Sequence, residues 1–223
     1  VRYLTGCGAR IEGAGTDTLK IQGGQTLYGT DFRICSDRIV AGTYLFACIA
    51  AGGSVLLEDA PVKQLEAVLQ TAQEMGAGLC VAKEGIYVQA PRRPKSLSHI
   101  KTAPYPGFPT DLQSMALAVM TVGDGQSRIE ETIFENRFRA AKELKAMGAD
   151  ITLLDERTVL VRGVEKLSGT AVEARELRGG AALVIAGLMA EGTTRVNGCS
   201  YIYRGYENIC KDLRELGARI VSA

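Results

Sequence analysis

Four stretches of this chain end a helix-like run in the same way: "GCGARI" (6–11), "EMGAGL" (74–79), "AMGADI" (146–151) and "ELGARI" (215–220). Their Gly-Ala pairs begin at 8, 76, 148 and 217, a period of about 70 residues. A glycine after an amphipathic run is the expected helix stop, because it takes the left-handed conformation freely. The runs before it carry apolar stripes at helical spacing: Val62, Leu65, Val68, Leu69, Ala72 and Met75; then Phe134, Phe138, Ala141, Leu144 and Met147; then Tyr206, Ile209, Leu213 and Leu216. A period of this length restricts the fold to repeated supersecondary units that bury their apolar faces on one another.

What surrounds each glycine also repeats. Hairpins are expected in "LCVAKEGIYVQA" over Glu84-Gly85, in "ITLLDERTVLVRG" over Asp155-Glu156-Arg157, and in "RIEGAGTDTLKIQG". Before each amphipathic helix stand another apolar helix and a short strand: 39–51 then "SVLLED", 112–122 then "SRIEET", 180–190 then "TTRVNG". Each unit reads helix, strand, helix, strand, strand, and its closing hairpin implies an opening strand too. A second register agrees: "LYGTDFRICSDR" (27–38) aligns without a gap on "LSGTAVEARELR" (167–178).

The repeat frame opens in mid-unit at "VRYLTGCGARI" and stops at "IVSA", where a fourth hairpin is due. The expectation is a part of a longer polypeptide, with residues 1–35 finishing a unit of an earlier domain and 36–223 forming a domain of three units, the last one short.

Residues 39–57, "IVAGTYLFACIAAGGSVLL", carry no charge and approach spanning length. Gly52-Gly53 divides them into a helix and a strand like those of the other units, so no membrane span is expected. A net charge of +1 gives no broad basic field for nucleic acid. The six cysteines show no CxxC or paired spacing, and the single histidine, His99, leaves no zinc set. Cys48 and Cys80 read as small buried hydrophobes in a reducing cytoplasm.

Equivalent positions of the three units begin their apolar helices: Ser36-Asp37-Arg38, Pro109-Thr110-Asp111 and Leu177-Arg178-Gly179. Around a pseudo-threefold axis these helices would bundle with their N-termini facing one way, and three free N-termini suit an anion, phosphate above all. Arg38 and Arg178 would add positive charge. Asp111 has two readings, a cap in the first turn and a functional carboxylate aimed by a loop that Pro104, Pro106 and Pro109 stiffen. Arg137 and Arg204 begin successive amphipathic helices beside aromatic residues.

"APYPGFPTDLQ" (103–113), "ETIFENRF" (131–138), "GVEKLSG" (163–169), "AEGTT" (190–194) and "YRGYENI" (203–209) together resemble the UDP-N-acetylglucosamine enolpyruvyl transferase family, and the likeness runs through the whole chain. The resemblance implies the C-terminal half of a cytoplasmic two-domain enzyme. Each domain is an inside-out α/β barrel of three βαβαββ-like units, with the active site between the domains. The implied reaction moves the enolpyruvyl group of phosphoenolpyruvate to the 3-hydroxyl of UDP-N-acetylglucosamine, the first committed step of peptidoglycan synthesis. It calls for no cofactor and no metal.

By the same resemblance, Asp111 contacts the sugar hydroxyl as the proposed base and Ile133 contacts the nucleotide sugar through its backbone. Arg204 belongs to the phosphoenolpyruvate site, Arg137 is a further cleft arginine, and Asp37 and Arg178 match cleft positions. The family's cysteine proton donor lies in the N-terminal half, and none of the six cysteines here matches it. The implied partners are the two substrates and that other half; alone, this chain is expected to be inactive. Glu176 stands where a well-studied member has Asp. The alternatives are a sister enolpyruvyl transferase with another acceptor, or a non-catalytic fragment that binds a nucleotide sugar or a protein.

Overall fold

The computed structural model describes residues 1–222, and its contacts divide the chain into residues 1–35 and residues 36 onward. The first part has a short helix, α1 (Arg2–Gly6), then an antiparallel hairpin of β1 (Arg10–Glu12) and β2 (Lys20–Gln22), with Ile11 opposite Ile21.

From residue 36 onward three units follow. The first runs α2 (Arg38–Ala51), β3 (Ser54–Glu58), α3 (Glu66–Glu74), β4 (Gly78–Val81), β5 (Gly85–Gln89). The second runs β6 (Ile100–Lys101), α4 (Gln113–Met120), β7 (Gln126–Glu130), α5 (Ala140–Ala146), β8 (Asp150–Asp155), β9 (Thr158–Arg162). The third runs β10 (Leu167–Ser168), β11 (Ala171–Glu173), α6 (Leu177–Met189), β12 (Ala190–Glu191), β13 (Arg195–Asn197), α7 (Ile209–Glu215).

Among the described residues, only the second unit shows the full strand–helix–strand–helix–strand–strand order. Its sheet runs β6-β7-β9-β8, with β6 and β7 parallel across the α4 crossover and the other pairs antiparallel. The first unit has the sheet β3-β5-β4 and no opening strand: residues 23–37 form no regular element, although 27–38 align with the segment that forms β10 and β11. In the third, β10 pairs with β12 and β11 with β13, both parallel.

Sequence pattern explains the layering. Helices α2, α4 and α6 are apolar all round, so no face can be given to water. They pack on one another, and every residue of α4 is buried, including Gln113 and Ser114. Helices α3, α5 and α7 carry an apolar stripe and keep a polar face. All four amphipathic or terminal helices stop alike. Gly8, Gly76, Gly148 and Gly217 have φ between 92° and 100°. Each donates its N–H three residues back, and the alanine after it donates five back (Gly76 to Gln73 and Ala77 to Ala72, for example). This paired closure satisfies the orphan carbonyls of the last turn.

Four sequence expectations are corrected. Phe134 lies in the loop before α5, outside the helical period, and is exposed. Leu216 is exposed although the matching Met75 and Met147 are buried, because residues 218–222 form no strand over α7 as the hairpins do over α3 and α5. Cys80 is exposed because β4 is an edge strand and Cys80 shares its outer face with Tyr87. Arg137 and Arg204 do not begin helices: Arg137 sits in a turn three residues before α5, and Arg204 ends a 3-10 segment, Cys199–Arg204. Among the described residues no helix is long and apolar enough to cross a membrane.

At Gly42 of α2 a Cβ would run into the buried side chain of Leu112, in the turn that leads into α4. Gly42→Ala gains about 1 kcal/mol of helix propensity but overpacks a close-packed site, at about 1–3 kcal/mol. The expected net result is destabilisation in denaturant unfolding. Leu112→Val in the Gly42→Ala background is expected to recover part of the loss.

Candidate active site

The starts of the three inner helices gather at one end of the bundle. The Arg38 guanidinium lies over the Tyr105 ring, 5.6 Å from its centroid, which joins the start of α2 to the loop that leads into α4. The start of α6 reaches the same loop through Arg178.

At the centre is Asp111, in a 3-10 turn (Thr110–Leu112) that precedes α4. It accepts one hydrogen bond on each oxygen: Arg137 Nη2 donates to Oδ1 and Arg178 Nη2 to Oδ2, both at 2.9 Å. The two guanidinium groups come from different units and are mostly buried, while the carboxylate is about one-third exposed, at 34%. Asp111 caps no helix. No backbone N–H among the described residues donates to it, and Pro109, at the turn's N-terminal boundary, has no side chain able to cap.

The expected triple anion site of free helix N-termini is also corrected. Asp37 caps α2, accepting from the N–H groups of Ile39 and Val40. Glu176 caps α6, accepting from Arg178 and Gly179 at 2.8 and 2.5 Å. Two of the three N-termini therefore already hold a carboxylate, and an incoming anion would meet the arginines.

Arg178 is set by its surroundings. Burial acts most strongly on its guanidinium and pulls the pKa down. The hydrogen bond and charge of Asp111, with Tyr206 beside it, outweigh this and hold the pKa above the ordinary value. Tyr206 is buried under the bundle end, and its hydroxyl lies 2.8 Å from Thr43 Oγ1. Because the Thr43 hydroxyl donates to the Ile39 carbonyl, Tyr206 is the donor in that pair. Burial raises the Tyr206 pKa most, and the neighbouring Thr43 and Arg178 act against it. Arg137 has a second contact, its guanidinium lying 4.9 Å from the centroid of the Phe134 ring. Asn136 before it adopts φ 54°, a left-handed turn that Asn tolerates and that redirects the chain at Arg137.

The structure thus joins Asp111, Arg137 and Arg178 directly. Asp37 stands at the same end as the α2 cap, close enough for its charge to act on Tyr206. Ile133 is half-buried, and its N–H donates to Glu131 Oε1 at 2.8 Å. Arg204 is exposed and makes no hydrogen bond or ion pair among the described residues. The sequence reading passed over Glu131. It is almost fully buried yet lies in "SRIEET", where the pattern marks only the polar end of a strand. Two of its partners are the N–H groups of Ile133 and Phe134, but the two threonine hydroxyls that bury it come from 21 and 29 residues away, beyond any local signal. Among the described residues no group of three or more His, Cys, Asp or Glu is arranged to hold a metal ion.

A bundle of apolar helices presenting a carboxylate between two arginines can compensate and exchange anions. The comparisons identify the class. The family model described as EPSP synthase (3-phosphoshikimate 1-carboxyvinyltransferase) matches residues 1–213. The enolpyruvyl transferase NikO from Streptomyces tendae superimposes with a TM-score of 0.86 at 26% identity, over 98% of this chain and 52% of that one. EPSP synthase from Acinetobacter baumannii shares the fold with a TM-score of 0.77 at 21% identity, over 100% of this chain and 54% of that one.

UDP-N-acetylglucosamine 1-carboxyvinyltransferase 2 of Caldanaerobacter subterraneus subsp. tengcongensis is 47% identical over 219 residues, 98% of this chain and 52% of the relative. UDP-N-acetylglucosamine 1-carboxyvinyltransferase of Desulfofundulus thermocisternus is 48% identical over 219 residues, 98% of this chain and 89% of the relative. The chain belongs to the EPSP synthase family of enolpyruvyl transferases and, within it, to the UDP-N-acetylglucosamine 1-carboxyvinyltransferase group. It spans about half the length of the Caldanaerobacter relative and of the solved transferases.

The cap geometry gives a direct test. Glu176→Ala removes the acceptor for two N–H groups of α6 and is expected to lower stability by about 1 kcal/mol, a fall of about 2–4 °C in Tm. Glu176→Asp, which keeps an acceptor at the cap, is expected to melt within about a degree of the wild type. Thermal unfolding followed by circular dichroism reads both.

Proposed function

We propose that the complete protein carrying this chain transfers the enolpyruvyl group of phosphoenolpyruvate to the 3-hydroxyl of UDP-N-acetylglucosamine, releasing phosphate, in the first committed step of peptidoglycan synthesis. In this reading residues 1–35 close the preceding domain. Residues 36–223 form a second domain, a pseudo-threefold inside-out α/β barrel. The rest of the polypeptide supplies the proton donor for the substrate methylene carbon. A cytoplasmic setting fits six cysteines that are all free thiols.

The observation that carries the proposal is Asp111 shared between Arg137 and Arg178. An acyclic enol phosphate with a carboxylate needs cations, and the hydroxyl that adds to it needs a base. As the site stands, the two guanidinium groups occupy both Asp111 oxygens. The phosphate and carboxylate of phosphoenolpyruvate compete for the same donors. Transfer of one guanidinium to the substrate frees an Asp111 oxygen to accept the sugar hydroxyl and take its proton. The oxygen then adds to the enol carbon while the donor from the rest of the polypeptide protonates the methylene carbon, and loss of phosphate together with a proton from the methyl group so formed restores the double bond. Arg204, exposed and without a protein partner among the described residues, is suited to receive an anion. Ile133 would guide the nucleotide sugar with its backbone. Asp37 keeps the start of α2 in place beside Arg38 and Tyr206.

The match to the family model described as 3-phosphoshikimate 1-carboxyvinyltransferase supports a second reading, in which the same chemistry serves a different acceptor. Coupled phosphate release with the nucleotide sugar and with shikimate 3-phosphate as rival acceptors separates the two. This 223-residue chain alone is expected to show no turnover. In the complete protein, Asp111→Asn keeps the shape but not the charge. It is expected to lower kcat by about 10²–10⁴ with a small change in the unfolding midpoint, since Asp111 caps no helix. Turnover near the wild-type rate in Asp111→Asn would reduce Asp111 to a structural ion-pair partner.

A further inference from the structure

We propose that Glu131 is a positioning residue that keeps the Asp111 turn in register with the loop of Ile133 and Arg137 while the reaction proceeds; this rests on the functional reading above.

A carboxylate exposed by only 1% is costly to bury unless its lone pairs are filled. Glu131 has four donors. Thr102 Oγ1 donates to Oε1 at 3.0 Å, and the N–H groups of Ile133 and Phe134 donate to the same oxygen at 2.8 and 3.1 Å. Thr110 Oγ1 donates to Oε2 at 2.8 Å. Three of the four bonds converge on Oε1 and one on Oε2, which fixes the carboxylate from both sides. Around it, Thr132 donates its N–H to Thr102 Oγ1 and its hydroxyl to the Thr102 carbonyl, so the end of β6 and the end of β7 form one rigid joint.

Thr110 is the residue before Asp111, and Ile133 and Phe134 lie just before Arg137. The turn and the loop are therefore tied twice, by Asp111 to Arg137 and by Thr110 to Glu131. The first tie loosens when the guanidinium that goes to the substrate anion is that of Arg137. The second involves no group that the reaction uses. It then helps to hold the freed Asp111 oxygen at its distance from a sugar held by the Ile133 loop. Displacements near 1 Å at a reacting centre reduce rates by about 10²-fold.

Thr110→Val removes only this tie, since it keeps the side-chain shape and leaves Glu131 its three other donors. In the complete protein the expected result is a fall in kcat of about 10- to 100-fold, with KM for the nucleotide sugar changed less than about threefold and Tm lowered by several degrees, since Oε2 loses its donor. Thr110→Ser, which restores the hydroxyl, is expected to regain most of the rate. Thr110→Ala repeats the test with a smaller side chain should the valine variant fail to fold.

Wild-type kcat in Thr110→Val or Thr110→Ala overturns the inference alone. So does a serine variant as slow as the valine variant. A wild-type protein that transfers no enolpyruvyl group to the nucleotide sugar overturns the functional reading and the inference with it.

Discussion

Everything in residues 36 onward depends on three helices that have no face for water. Residues 113–120 form one of them, and none of its residues is exposed. Each large apolar side chain so buried contributes about 1.5–3 kcal/mol, but only if another apolar surface covers it. One unit offers a few short strands and one amphipathic helix, too little to surround its inner helix. Three units cover one another's inner helices, and the repeat in the sequence reflects that requirement.

The same packing creates the candidate site. Bundled helices must end somewhere, and their first-turn N–H groups need acceptors. Asp37 and Glu176 supply them for α2 and α6. The third entrance is built differently. Pro109 leads into a 3-10 turn, and the carboxylate there turns away from the backbone to Arg137 and Arg178. This asymmetry in an otherwise repeated plan leaves one acidic group bound to side-chain cations, which a substrate anion can recruit, rather than to backbone amides, which it cannot. Glu131 gives the asymmetric entrance its rigidity from behind.

The sequence by itself determined the repeat, the four glycine stops, the hairpins and the division into inner and outer helices. These follow from local backbone preference and from periodicity, which act within about a dozen residues. It also marked Asp111, Arg137 and Arg178 as residues of interest. It did not determine that one carboxylate binds both arginines across 26 and 67 residues, that Asp37 and Glu176 are caps, or that Glu131 is a buried hub with four donors. It misjudged Cys80 and Leu216, whose exposure depends on which strand forms an edge and which helix end a hairpin covers. Those outcomes belong to the tertiary structure alone: a side chain's partner is set by which units pack together, and that packing brings into contact groups that no local pattern relates.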